Sequence, residues 1–284
     1  MNTPIEISSL TEYIELIDKL TDLGTSYLFR GQENAAWQVN SSAYRRLKIQ
    51  TDVDIGSLEI QTDIDMGSLE IQTDAETGLL GDLFTGYLKQ IIDEIQLRYP
   101  STYKELSPLE CMAHLQHNKV ATGLIDFTFS PLVALWFACD NQKNTKGKVF
   151  ILEKDNSKII EITTPERLQQ GLDVFFDMDQ AQWYLWSPTL DSHAVDTQRM
   201  MMQQSVFLFG LPEVDTEMIV REIIVPQEHK EGLRTALAKL AILEKTLFAD
   251  LLGFFERNTH AHPYDLSLAK PYYGEMTSDE GHTA

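Results

Sequence analysis

LECMAHLQHNKVATGLIDFTFSPLVALWFACD, residues Leu109 to Asp140, is the segment from which the architecture of this chain follows. Its last part, Leu132 to Cys139, is apolar on every side. Ser130-Pro131 comes directly before it and is a strong helix start, because Ser caps free amides and Pro fits the first helical position. A helix that is apolar all round is buried. We therefore expect this helix to pack against a sheet at the centre of the molecule.

A cluster of polar residues lies at the entrance to that helix. Thr122, Asp126, Thr128 and Ser130 are interspersed with apolar residues, and the preceding helical pattern ends near His117. Buried polar groups are hydrogen-bonded, to the protein or to water, or need a functional explanation. Histidine titrates near neutral pH and can act as a base. These five residues are therefore candidates for a functional cleft.

The rest of the chain predicts an α+β fold with a central, mostly antiparallel sheet flanked by helices. Apolar and β-branched runs predict strands at Tyr27–Gly31, Lys148–Leu152, Val206–Phe209 and Met218–Val225. Helical periodicity predicts helices at Ser9–Leu23, Leu79–Tyr99 and Gln227–Leu243. The aromatic-rich segment from Ile159 to Trp186 is expected to wrap the core with little regular structure.

An acidic repeat interrupts the first half of the chain. Ile-Gln-Thr-Asp starts at Ile49, Ile60 and Ile71, a period of 11 residues, and residues 51–76 contain eight acids and no Lys or Arg. Such composition favours a solvated surface insertion. We expect one domain over residues 1–258 that carries this insertion, followed by a polar tail over residues 259–284.

Composition narrows the function classes. The formal net charge of −20 argues against generic binding to nucleic-acid backbones. No apolar run reaches the roughly 18 residues that a membrane helix needs, so we expect a cytoplasmic protein without membrane contact.

Cys111 and Cys139 lie in apolar patterns, which predicts buried thiols. His114 and His117 are three residues apart, but no Cys or acid completes a known zinc spacing, so no metal is expected.

Several ordered motifs resemble the FRG domain family, which is named for a Phe-Arg-Gly motif. The motif here is Phe29-Arg30-Gly31, followed by Gln32 and Trp37. The family's central and later patterns are matched at Gln116-His117, Thr122, Leu124, Asp126, Thr128, Ser130-Pro131, Phe137-Ala138, Arg199, Gln203, Phe207 and Leu247-Phe248-x-Asp250-Leu251. Asn118-Lys119, Gly123 and Ser205 depart from those patterns. The resemblance covers about residues 20–256 and implies a divergent member of the family.

A second resemblance, in residue order alone, is to ADP-ribosyltransferases of the Arg-Ser-Glu type. It implies that NAD is a substrate, that Arg30 holds its phosphate and that Thr128 or Ser130 supports the nicotinamide half. It also implies that Glu222, on a predicted strand, stabilises the ribosyl cation. A fixed carboxylate suits that charge, and an Arg fork suits a diphosphate.

Three function classes therefore stay open. They are an NAD-using transferase, a binding module for a nucleotide or a protein in a defence or toxin context, and a hydrolytic, nuclease-like toxin built on His117 and Asp126. The alternative for Arg30 is a structural ion pair with Asp126. We expect one cleft, with Glu222 and His117 as the catalytic residues. The expected substrate-binding residues are Arg30, Thr122, Asp126, Thr128, Ser130 and Gln204.

Overall fold

One mixed β-sheet organises the molecule. The structure is a computed structural model that describes residues 4–21, 24–59, 72–140, 144–154, 157–178, 180–188 and 197–260, with the backbone alone at 51–59, 72–80 and 197. Within these ranges the strands are β1 (Ile5–Glu6), β2 (Tyr27–Gln32), β3 (Ile125–Thr128), β4 (Gly147–Glu153), β5 (Ile159–Ile162), β6 (Trp183–Trp186), β7 (Ser205–Phe209) and β8 (Ile219–Val225). Their order across the sheet is β1-β8-β4-β2-β3-β7-β6-β5.

The predicted α+β class and mostly antiparallel sheet are confirmed. β1 with β8 and β5 with β6 are parallel pairs, and the other neighbouring strands are antiparallel. The four predicted strands correspond to β2, β4, β7 and β8 with ends shifted by one residue at most. The prediction of little regular structure from Ile159 to Trp186 is wrong at both ends, where β5 and β6 form. The aromatic side chains of β6 pack on those of β7 and α8 (Leu172–Phe175), a contact that local sequence does not reveal.

Helices cover the sheet and fill its connections. The longer ones are α1 (Leu10–Leu20), α2 (Ser42–Glu59), α3 (Gln72–Arg98), α5 (Pro108–His117), α6 (Pro131–Ala138) and α10 (Lys230–Lys239). The shorter ones are α4 (Pro100–Tyr103), α7 (Pro165–Leu168), α8, α9 (Thr197–Gln203), α11 (Glu244–Leu247) and α12 (Leu251–Arg257). Residues 51–59 continue α2 as helix and 72–76 begin α3, whereas residues 60–71 of the predicted insertion lie outside the described residues.

Helix α6 lies directly on the sheet, as the sequence predicts. Val133, Ala134, Leu135 and Trp136 are buried, and the Ser130 hydroxyl accepts a hydrogen bond from the Val133 amide at 3.3 Å. Two strand glycines make this close approach possible. A Cβ on Gly31 would lie 1.8 Å from the Ala134 carbonyl oxygen, and one on Gly147 would lie 1.9 Å from that of Ala138. The glycine of the Phe-Arg-Gly motif is therefore the contact point between β2 and α6.

The sheet has a narrow seam at its centre. β2 pairs with β4 over six residues, but β2 and β3 pair only at Phe29 and Thr128. One buried cluster, containing Phe29 and α6, packs under the β1-β8-β4-β2 half. Another, containing Phe207 and residues of α3 and α5, packs under the β7 side. The seam therefore divides the helical layer as well as the sheet.

Two simpler predictions concern the cysteines and membrane contact. Cys111 and Cys139 are both fully buried free thiols, as predicted. In the part of the chain that the structure describes, no helix is long and apolar enough to cross a membrane.

Candidate functional site

A cleft opens at the seam between β2 and β3, where α5, α6 and α9 meet the sheet. We call its main chamber the first cavity; its volume is about 260 Å³. Apolar side chains form much of its wall, namely Phe29, Ala113, Phe127, Phe137, Met200, Phe207 and Phe248. Polar groups are set among them, namely Arg30, Gln116, His117, Lys119, Asp126, Thr128, Arg199, Gln203 and Ser205.

Arg30 crosses the seam itself. Its Nη1 donates a hydrogen bond of 2.5 Å to the backbone carbonyl of Asp126, so it joins β2 to β3 just beyond their single residue pair. Its Nε is buried and has no hydrogen-bond partner among the described residues. Burial lowers the pKa of the guanidinium, nearby Asp126 raises it, and Arg45 lowers it. The ion pair with the Asp126 carboxylate that we considered is thus replaced by a bond to its main chain.

Gln116 links two of the predicted site residues, Thr122 and Asp126, into one network. Its amide nitrogen donates to the Asp126 carboxylate at 2.8 Å, and its amide oxygen accepts from the Thr122 hydroxyl. Thr122 is fully buried, and its amide donates to the Ser42 hydroxyl at 2.9 Å. Thr122 therefore lies behind the cleft, where it fixes Gln116 and the start of α2, whereas the exposed Asp126 faces the cleft.

Hydrogen bonds of Thr128 hold the wall of the first cavity where β3 meets the end of α9. Its hydroxyl donates to the backbone carbonyl of Gln203 at 2.6 Å and accepts from the Ser130 amide at 3.0 Å. Thr128 and Gln203 line the first cavity, while Ser130 caps α6. Gln204 was the predicted binding residue, but its neighbour Gln203 lines the cavity. Gln204 is exposed in a left-handed turn, with φ +47°, that precedes β7.

A buried carboxylate organises the polar end of the cleft. Asp250 is fully buried at the N-cap of α12, and its Oδ1 accepts a hydrogen bond from the Gly253 amide at 2.9 Å. Its Oδ2 lies 3.1 Å from His117 Nε2 and 3.7 Å from Arg199 Nη1. The Arg199 guanidinium also stacks 4.2 Å from the ring centre of Phe248. His117 and Arg199 are therefore held in fixed orientations at the cavity wall.

A second cavity, of about 190 Å³, adjoins the first. Arg30, Gln116, Lys119 and Asp126 line both, and Asn40, Ser42, Arg45, Val120, Leu124 and Ile125 complete the second. Of the Asp, Glu, Lys and Arg side chains that line the two cavities, Arg30, Arg45, Lys119 and Arg199 are basic and Asp126 is acidic. This concentration of cations contrasts with the net charge of −20.

Glu222 lies away from this cleft. The register aligns it with Phe150 on β4 and, beyond that, with Arg30 on β2. Two strand spacings separate the backbones of Glu222 and Arg30 by about 10 Å. Its carboxylate pairs with Lys148 Nζ at 3.1 Å, and it lines neither cavity.

Of the eight residues expected in one cleft, four line the first cavity, namely Arg30, His117, Asp126 and Thr128, whereas Thr122, Ser130, Gln204 and Glu222 do not. Gln116, Arg199, Gln203 and Asp250 were not chosen as site residues, although all four occur in the family-like patterns of the sequence. Those patterns were the available signal, because these residues are far apart in the chain. Lys119 carried no such signal, since it replaces a residue of the family pattern.

His114 does not join His117 in a metal site. Its Nδ1 lies 2.6 Å from the Tyr103 hydroxyl, and burial lowers its pKa. Among the described residues, no group of three or more His, Cys, Asp or Glu side chains is arranged to hold a metal ion.

The comparison with protein families agrees with this geometry. The model of the FRG domain matches residues 25–147, which run from the start of β2 to the start of β4 and include much of the cleft wall. No curated protein and no solved structure matches the chain. The Phe-Arg-Gly motif has a physical role at each residue: Phe29 in the core, Arg30 across the seam and Gly31 beneath α6. Residues 25–147 of this chain are therefore an FRG domain.

Proposed function

We propose that this chain is a binding module whose first cavity, formed by the FRG domain and later residues, takes a nucleoside phosphate. Its aromatic and apolar wall suits a base and sugar, and its cationic rim suits a phosphate. His117 and Arg199 are held at that rim by Asp250. The nucleotide-binding alternative from the sequence is thus the one that the geometry supports best.

One observation carries this proposal, which is that cations gather in an apolar cleft of an acidic protein. Two arginines, Arg30 and Arg199, line the first cavity, and only one lining residue, Asp126, is acidic among those described. Asp250 and Glu256, which line neither cavity, pair with Arg199 and Lys119, and the N–H donors that remain toward the cavity attract an anion. Arginine presents a planar fork of donors that matches phosphate oxygens.

The size of the first cavity narrows the ligand class. Sites for small molecules measure about 300–1,000 Å³. The first cavity, at about 260 Å³, lies just below that range. It favours a mononucleotide over a whole dinucleotide.

The proposal predicts that AMP, GMP, CMP or UMP binds the full chain in isothermal titration calorimetry. Arg199→Ala should weaken binding by about 10–100-fold, because hydrogen bonds to charged groups contribute about 1.5–3 kcal/mol. Arg167→Ala is the matched control, since Arg167 is exposed on α7 and lines neither cavity. Thermal unfolding of each variant tests that it is folded. Failure of all four nucleotides to bind the wild-type chain would reject the proposal.

Catalysis in the same cleft is a second candidate function, favoured by the His117–Asp250 pair. A histidine oriented by a buried carboxylate can accept a proton from an attacking water. Phosphate-ester hydrolysis would then form a P–O bond to that water and break the P–O bond to the ester oxygen, which takes a proton from solvent as it leaves. Release of inorganic phosphate by the wild-type chain, lost in His117→Gln, would identify this activity. Binding without turnover would identify a binding module.

The NAD-using transferase receives less support from the geometry. Glu222 would have to reach the reacting ribose, yet its carboxylate is paired with Lys148 and lines neither cavity. Nicotinamide release from NAD, measured in the wild type and in Glu222→Gln, tests this function. A large loss of nicotinamide release in Glu222→Gln would favour the transferase over the binding module.

A further inference from the structure

We infer that the second cavity is a polyphosphate subsite, so that the preferred ligand of this cleft is a nucleoside diphosphate or triphosphate. The inference rests on the proposed function, in which the nucleoside occupies the first cavity. It adds a ligand class and a role for Arg45, a residue that belongs to neither the Phe-Arg-Gly motif nor the first cavity.

The two cavities are adjacent. Arg30, Gln116, Lys119 and Asp126 form walls of both, so a ligand that passes this shared rim enters the second cavity. The Gln116 amide and the Asp126 carboxylate at this rim are already bonded to each other. The cationic groups left facing the rim are Arg30 and Lys119, and Lys119 is exposed and paired with Glu256 at 2.8 Å. The Lys119 ammonium is itself exposed, so it can contact a phosphate at the rim while it keeps its pair with the half-buried Glu256 carboxylate.

The linings of the cavities differ in chemistry. Five phenylalanines line the first cavity, whereas no aromatic side chain lines the second within the described residues. The second cavity instead carries the side chains of Asn40, Ser42 and Arg45. An aromatic chamber beside a polar, basic one corresponds to the two ends of a nucleotide, a base and a chain of phosphates.

Arg45 is positioned for such a phosphate. Its Nη1 donates to the Asn40 backbone carbonyl at 2.7 Å and to the Asn40 side-chain oxygen at 2.9 Å, which fixes the guanidinium at the cavity wall. Among the described residues Arg45 makes no ion pair within 4.0 Å. Burial lowers the pKa of both the Arg45 and the Arg30 guanidinium, Asp126 raises both, and repulsion from Arg45 lowers that of Arg30 further. A phosphate between these arginines would relieve that repulsion.

The experiment compares mono- and diphosphates of the same nucleoside by calorimetry on the full chain. AMP, GMP, CMP and UMP are titrated beside ADP, GDP, CDP and UDP. We expect at least one diphosphate to bind tenfold or more tightly than its monophosphate. Arg45→Ala should remove this difference between mono- and diphosphate, whereas Arg199→Ala should weaken both ligands and keep the difference.

Arg46→Ala is the matched control, one residue away on α2. Arg46 donates to the Tyr87 hydroxyl at 3.1 Å and lines neither cavity, so it should leave the diphosphate preference intact. Equal binding of mono- and diphosphates to the wild type, or a preference that survives Arg45→Ala, would overturn the inference while leaving the proposed function standing. If no nucleotide binds the wild type, the proposed function itself fails.

Discussion

Gly31 has no room for a side chain, because it lies against the backbone of α6. A methyl group there would lie 1.8 Å from the Ala134 carbonyl oxygen and 2.8 Å from the Ala138 amide nitrogen, both backbone atoms of α6. Overpacking typically costs about 1–3 kcal/mol. We expect Gly31→Ala to reach or exceed the upper end of that range, because the whole helix must shift. Urea unfolding monitored by circular dichroism measures the loss.

Gly232→Ala is the control for this prediction. Gly232 is exposed on α10, and a Cβ there would meet nothing within 4 Å. Alanine should stabilise the chain by about 0.5–1 kcal/mol at such a position, since it restricts the unfolded backbone. If Gly31→Ala were as stable as Gly232→Ala, the close packing of α6 on β2 would be wrong.

Asp250 performs two tasks that substitution can separate. Asn retains the N-cap acceptor for the Gly253 amide but removes the charge that faces His117 and Arg199. We expect Asp250→Asn to cost about 1.5–3 kcal/mol, the range for hydrogen bonds to charged groups. Asp250→Ala should cost about 1 kcal/mol more, because the cap is also lost. Equal stability of Asp250→Asn and the wild type in urea unfolding would contradict the charge role.

At the scale of helices and strands, the sequence predicted those elements whose formation depends on a local pattern of residues. Helix α6 was recognisable from Ser130-Pro131 and the apolar run after it, and β8 from its long β-branched run. β3 was not predicted as a strand, because Asp126 and Thr128 interrupt its apolar residues. Its four pairs with β7, a strand about 80 residues later in the chain, make it one. The site followed the same rule: Arg30, His117 and Asp126 lie in local motifs, whereas the partner of His117, Asp250, is more than 130 residues away.

Two buried thiols, one on α5 and one at the end of α6, make the stability of the protein fall at alkaline pH. Burial raises the pKa of Cys111 on α5 to about 11 and that of Cys139, at the end of α6, to about 12. Unfolded thiols ionise near pH 8.5. The stability that these buried neutral thiols contribute is therefore fully present below about pH 8.5 and is lost as the pH rises toward 11–12.

The double variant Cys111→Ala/Cys139→Ala tests this pH dependence. We expect the free energy of unfolding of the wild type to fall more steeply between pH 8.5 and 10.5 than that of the variant. The difference in slope should be at most about 1.4 kcal/mol per pH unit for each thiol. Urea unfolding at several pH values measures both slopes. Identical slopes would mean that the thiols ionise alike in the folded and unfolded chains.

At the scale of the whole molecule, the acidic repeat is predicted to be dispensable for folding. Deletion of residues 51–76 removes eight acids and no Lys or Arg. A short Gly-Ser linker should rejoin the chain at little entropic cost. We expect the deletion variant to keep a cooperative thermal transition within a few degrees of the wild type. A control that replaces the eight acids by Ser, without deletion, separates the effect of charge from that of chain length. Loss of cooperativity in the deletion variant would mean that the repeat belongs to the core.

The narrow seam between β2 and β3 has a mechanical consequence. The strands on each side of it are joined by continuous ladders, so each half of the sheet resists bending as a stiff plate. Within the sheet, the Phe29–Thr128 pair and the bond from Arg30 to the Asp126 carbonyl cross the seam. These two contacts resist rotation of one half of the sheet against the other. A buried cluster that includes Leu28, Ile125 and Phe127 also crosses the seam. A ligand in the first cavity would contact β2 and β3 together, so we expect ligand binding to slow the hydrogen exchange of amides on both strands.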